Sequence, residues 1–183
     1  MSLMHRIVSM GNSVLLRLLS LVILAAVPQL AAASDNTGSG SVTGLPIPRF
    51  VSLKPSDTPM REGPSKDHRV KWVFKREGLP VEITAEFDTW RRVRDSEGTE
   101  GWVFHSRLSS RRTALVAPWS KEATLPLHAR DNAGTDVVAR LQPSVLANIE
   151  SCDGRWCRVN GEGFRGWMKQ EHLWGVYPDE SVR

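Results

Sequence analysis

Trp90-Arg91-Arg92-Val93, followed by Gly101-Trp102-Val103, returns later in the chain as Trp156-Cys157-Arg158-Val159 and Gly166-Trp167-Met168. Trp90 and Trp156 lie 66 positions apart and Trp102 and Trp167 lie 65 apart, in the same order. Self-similarity at a fixed period is the mark of a chain built from copies of one unit. The match extends outward on both sides. Leu79-Pro80-Val81-Glu82-Ile83 and Arg107-Leu108 correspond to Gln142-Pro143, Val145, Ile149 and His172-Leu173. Within each copy, short stretches alternate apolar and polar residues and are rich in β-branched and aromatic types, as in Val70-Lys71-Trp72-Val73-Phe74 and Val81 to Phe87. Glu77-Gly78, Asp95 to Gly98, Asp153-Gly154 and Asn160 to Gly163 supply turns between them. Beyond residue 33 no stretch carries an apolar stripe of helical period over three turns. The pattern predicts an all-β protein of two small, strongly bent barrels of about five strands each.

Met60-Arg61-Glu62-Gly63-Pro64-Ser65, Gly78-Leu79-Pro80-Val81, Trp90-Arg91-Arg92-Val93 and Gly98-Thr99-Glu100-Gly101-Trp102-Val103 together resemble the bacterial SH3 domain. The first copy, 49–109, follows that family's pattern throughout. The second, 110–176, keeps both tryptophan strands but has Leu127-His128-Ala129-Arg130-Asp131 in place of the Arg-x-Gly-Pro stretch. The chain also resembles a group of exported proteins of Gram-negative bacteria made only of tandem SH3-like domains. In that group a Cys-Asp-Gly-x-Trp-Cys hairpin and a Trp-Gly-Val-Tyr-Pro motif recur, here Cys152 to Cys157 and Trp174 to Pro178.

Side chains alternate along a strand. With Val93 and Val103 facing into the barrel, Trp90 and Trp102 face out, and Trp156 and Trp167 repeat the arrangement. Two large aromatics on one outer face form a stacking ledge. The alternative is that each pair caps a barrel mouth or fills an interface between the copies. The resemblance to peptide-binding SH3 domains places Trp90 and Trp102, with Phe104, among the groove aromatics. It places Glu62 and Asp67 in the loop that would take a basic ligand residue. Val70 and Phe74 are expected in the core, and Trp119 is expected to pack between the copies. Arg91, Arg92, Arg94, Arg107, Arg111 and Arg112 could form a basic edge, but Asp88, Asp95, Glu97 and Glu100 offset it, which favours a solvated mixed face.

The chain of 183 residues holds 24 Lys+Arg against 20 Asp+Glu. Arg6 and Arg17 fall in a leader of Met1 to Ala33, with a charged start, an apolar run from Leu18 to Val27 and small residues Ala31 to Ala33. Such a segment is expected to be a cleaved export signal, with an uncleaved anchor as the alternative. Its removal near Ala33 leaves little net charge, which argues against nucleic acid as a partner and predicts no stable membrane insertion. Residues 34–48, rich in Gly, Ser and Pro, read as a flexible linker, and 177–183 as a C-terminal tail. Outside the cytosol two cysteines are more often oxidised than catalytic. Cys152 and Cys157 flank the turn signal Asp153-Gly154, so a disulfide across a hairpin is expected, against two buried free thiols.

His68, His105, His128 and His172 are isolated in sequence, no nucleophile motif or phosphate-binding glycine loop is present, and the repeats consume the chain beyond the leader. The expectation is a non-enzymatic periplasmic protein without cofactor or metal. Its partner would be peptidoglycan, through the stem peptides, or an extended peptide segment of an envelope protein. The alternative is an adaptor or regulatory subunit of an envelope enzyme that does not touch the wall.

Overall fold

The computed structural model describes residues 38–183. The expected leader and residues 34–37 of the expected linker lie outside them. A hairpin of β1 (Gly38–Ser39) and β2 (Pro46–Ile47) comes first. The first barrel is built of β3 (Arg49–Leu53), β4 (Thr58–Arg61), β5 (Val70–Phe74), β6 (Pro80–Phe87), β7 (Trp90–Arg94), β8 (Glu100–Phe104) and β9 (Leu108–Ser109). These are paired in the order β5-β4-β8-β7-β6-β3-β9. The second barrel is built of β10 (Thr113–Val116), β11 (Leu125–His128), β12 (Val137–Leu141), β13 (Leu146–Asp153), β14 (Trp156–Gly161), β15 (Phe164–Lys169) and β16 (Leu173–Trp174). It repeats the same topology as β12-β11-β15-β14-β13-β10-β16, with β17 (Ser181–Val182) added beside β13. The protein is all-β, and the repeat seen in the tryptophans is a repeat of fold.

A short sheet closes on itself only if its strands bend, and a β-bulge bends a strand by inserting one unpaired residue. Both copies bulge at matching places. The register shifts between Ile83 and Ala85 in β6 and between Ile149 and Ser151 in β13. It shifts again opposite Met60 and Arg61, where Lys71 of β5 is the extra residue, and opposite Leu127 and His128, where Val138 of β12 is. Each barrel then buries its own apolar cluster. Leu53, Met60, Phe74, Val81, Ile83, Val93 and Val103 fill the first. Leu125, Leu127, Leu141, Val159, Met168, Leu173 and the disulfide are among those filling the second. A side chain of this size contributes roughly 1.5–3 kcal/mol when fully buried.

Several expectations are corrected. The 38–48 part of the linker is a hairpin docked on the first barrel through Glu86, whose side chain is fully buried. That carboxylate accepts hydrogen bonds from the Val42 amide at 3.0 Å, the Thr43 amide at 2.8 Å and hydroxyl at 2.7 Å, and Arg49 at 2.7 Å. Burial alone would push it up. The bonds from Arg49, the Thr43 side chain and the two amides outweigh burial and bring it down to about 2. The 177–183 tail is also structured, through Tyr177 and β17. Phe74 is in the core as expected, but Val70 is exposed, because it lies beyond the bulge on the outermost strand of the sheet. Trp119 does not pack between the barrels and is 58% exposed.

The contact between the barrels is made by other residues. Phe50 of β3 stacks against Trp174 and Tyr177, with ring centroids 5.2 and 4.7 Å away. The Tyr177 hydroxyl donates to Glu82 of β6 at 2.8 Å, and the Thr113 hydroxyl donates to the Gly78 carbonyl at 2.7 Å. Burial, reinforced by the bond to Glu82, raises the Tyr177 phenol above its ordinary value. Arg94 holds the other Glu82 oxygen, so this buried carboxylate has a partner on each side. Gly175 lets the strap of residues 174–178 pass: its φ is +131°, and a Cβ there would strike the Thr113 carbonyl.

Candidate functional site

On the first barrel, β7 and β8 pair Trp90 with Phe104, Arg92 with Trp102, and Arg94 with Glu100, which places all six on the outer face. Trp90 and Trp102 therefore face outward, as alternation requires, but they do not form one open ledge. Trp90 is only 7% exposed and meets Phe104 edge-on at 5.5 Å. It lines a depression of about 320 Å³ with Pro59, Arg61, Lys66, Ser106 and Arg107. Trp102 lines a different depression, with Glu62, Lys71, Arg92 and Glu100.

The acidic loop is largely occupied by its own neighbours. Glu62 is ion-paired with Arg69, whose hydrogen bond holds the carboxyl below its ordinary range. Asp67 accepts a hydrogen bond from the Ser65 hydroxyl at 3.1 Å and lines neither depression. The structure thus brings Trp90 to Phe104 and Trp102 to Glu62, and separates the two pairs.

On the second barrel, Trp156 pairs with Lys169 and Trp167 with Arg158, again on the outer face. Trp156 stands edge-on to His128 at 5.4 Å. Cys152 and Cys157 are cross-strand partners and form the expected disulfide, with Cα atoms 4.1 Å apart. In the turn between them Gly154 takes φ +100°, and Asp153 accepts bonds from the Arg155 and Trp156 amides at 2.8 Å each. Those two amides hold the Asp153 carboxyl below its usual value. The disulfide hairpin thereby fixes the start of β14 and the position of Trp156.

Trp156 opens onto a cleft of about 740 Å³ between the barrels. Phe50, Trp119, Trp174 and Tyr177 line it with Trp156, and Arg155, Lys169, Glu171 and Asp179 add charge of both signs. Apart from Trp156, none of these was a candidate in the sequence reading. The Trp174 to Pro178 motif is the signal that could have led there, since Trp174, Tyr177 and Pro178 form part of one wall. Phe50 and Trp119 carry no such signal. Among the described residues no group of three or more His, Cys, Asp or Glu side chains converges as metal ligands would, and no helix is long and apolar enough to cross a membrane.

Comparison with known proteins agrees with the repeat. The model of the bacterial SH3 domain matches residues 54–110 and again 121–175. Among solved structures, NlpC2 from Trichomonas vaginalis aligns at 13% identity over 69% of this chain and 48% of its own, with a TM-score of 0.30. NlpC1 from the same organism aligns at 14% identity over 75% of this chain and 48% of its own, with a TM-score of 0.29. The chain spans about half the length of these two structures. No curated protein matches it. Two matched segments, one on each barrel and together covering more than half of the sequence, place the chain in the bacterial SH3 domain family.

Proposed function

We propose that the chain is a non-enzymatic, extracytoplasmic binding protein of the cell envelope that holds peptidoglycan stem peptides or an extended peptide segment. The observation that carries this reading is the cleft between the barrels. It is concave, aromatic-walled and bordered by charges of both signs, as a site for a short polar chain with apolar side groups needs to be. Aromatic plates bind extended peptides by stacking and by apolar contact, and the flanking charges set orientation. The Cys152–Cys157 disulfide fits an oxidising compartment outside the cytosol.

Co-sedimentation of the purified protein with isolated peptidoglycan sacculi tests the proposal, beside a Trp119→Ala/Trp156→Ala variant checked for fold by circular dichroism. Saturable sedimentation, weakened about tenfold or more in the folded variant, is the expected result. Absence of binding by the wild type at physiological salt would remove the wall as ligand. Cross-linking to a protein in intact cells would then support the adaptor reading. Equal binding by wild type and variant would remove the cleft as the site.

A further inference from the structure

We propose that the smaller depression on the first barrel, floored by Trp90, Phe104 and Pro59, binds ligands that carry a free carboxylate beside a compact apolar group, such as the C-terminal end of a short peptide. This rests on reading the chain as a binding protein, and it names a second site and its chemistry. The rim of the depression consists of Arg61, Lys66 and Arg107, and no acid lines it. None of these three cations has a carboxylate partner among the described residues. Arg61 gives one hydrogen bond to the His68 carbonyl and keeps its remaining donors.

Elsewhere on the barrel five cations are matched in turn, although among the described residues Lys54, Lys71 and Arg76 are not. Glu62 holds Arg69, Asp57 holds Lys75, Glu100 holds Arg92, Glu82 holds Arg94, and Glu86 holds Arg49. Three cations without carboxylate partners therefore surround one aromatic floor. A carboxylate with a small apolar neighbour satisfies both parts at once, through charge-assisted hydrogen bonds at the rim and contact with the rings below. A basic ligand residue, which Glu62 and Asp67 led one to expect, would be repelled here. A volume of about 320 Å³ suits one or two small residues rather than a long segment. The second barrel lacks this arrangement. Its counterparts of Phe104 and Ser106 are Lys169 and Glu171, which bond to each other at 3.1 Å, and its counterpart of Arg107 is His172.

The test uses the whole protein and small probes, followed by amide and indole N–H NMR. N-acetyl-alanyl-alanine as the free acid is expected to shift Trp90, Phe104 and Arg107, and its C-terminal amide to bind about tenfold more weakly. The D,D and L,L acids form parallel arms: a wall-derived end would be a D-residue and a protein end an L-residue, and a response to either supports the site. Lys66→Gln/Arg107→Gln alters two exposed side chains and is expected to weaken binding of the acid by a similar factor. Equal binding of acid and amide, shifts mapping away from these residues, or no shift with either acid would overturn the proposal. Sacculus binding without these shifts would sink this inference alone, and the shifts without sacculus binding would sink the wall reading alone.

Discussion

Removing the Trp90 side chain is expected to destabilise the first barrel by about 3–5 kcal/mol, since the indole is buried against Phe104 and a cavity would remain. Urea denaturation of Trp90→Ala measures this, and a change under about 1 kcal/mol would mean that the ring is dispensable to packing. The sequence showed which face Trp90 takes, because parity along a strand is local. It did not show exposure, because the ring is covered by Phe104 from the next strand. Tyr177→Phe deletes the donor to Glu82 and is expected to lower stability by about 1–2 kcal/mol, read in the same titration. Glu86 sets an acid limit. Its folded value near 2 lies below its ordinary value, so its contribution is complete above about pH 4.5 and fades as pH falls toward 2. The shift corresponds to roughly 3 kcal/mol. Glu86→Gln should flatten that part of the stability profile, and a profile identical to wild type would show that the hairpin is held by other contacts.

Among the elements, the disulfide hairpin was the most legible, because Asp-Gly between alternating residues states both the turn and the register of its flanks. Replacing Cys152 and Cys157 together with alanine should cost about 2 kcal/mol, the low end for a bridge that closes so short a loop, measured by thermal unfolding. Thiol titration of denatured, unreduced protein should find no free thiol, and two would overturn the bridge. The edge strand β5 was misread. Alternation assigns Val70 to the core with Phe74, but the bulge at Lys71 in β5 shifts the parity of that end of the strand and leaves Val70 exposed. Bulges have no reliable sequence signal. The hairpin of β1 and β2 was read as linker because Gly and Ser-rich composition reports the absence of an apolar core. It does not report a buried carboxylate 43 residues beyond Thr43 that receives two amides and a hydroxyl.

At the scale of the molecule, the repeat and the all-β fold were legible because the tryptophan strands recur at a spacing of 65 to 66 residues. The placement of one barrel on the other was not, since Phe50 and Glu82 are ordinary residues until they meet Tyr177. Their contact predicts a single cooperative unfolding transition, with calorimetric and van't Hoff enthalpies equal. A variant truncated after Val176, which loses Tyr177 and β17, should unfold in two steps, and two steps in the intact protein would show the barrels to be energetically independent. The strap that joins them also bears on growth. Contact between unlike faces of repeated units, head to tail, propagates into filaments whenever each unit carries both faces. Here the receiving face exists once: the residues of the second barrel that stand where Phe50 and Glu82 stand in the first are Thr113 and Asn148. Asn148 turns instead to Asn160 of its own sheet. The face that receives Tyr177 is thereby particular to the first barrel.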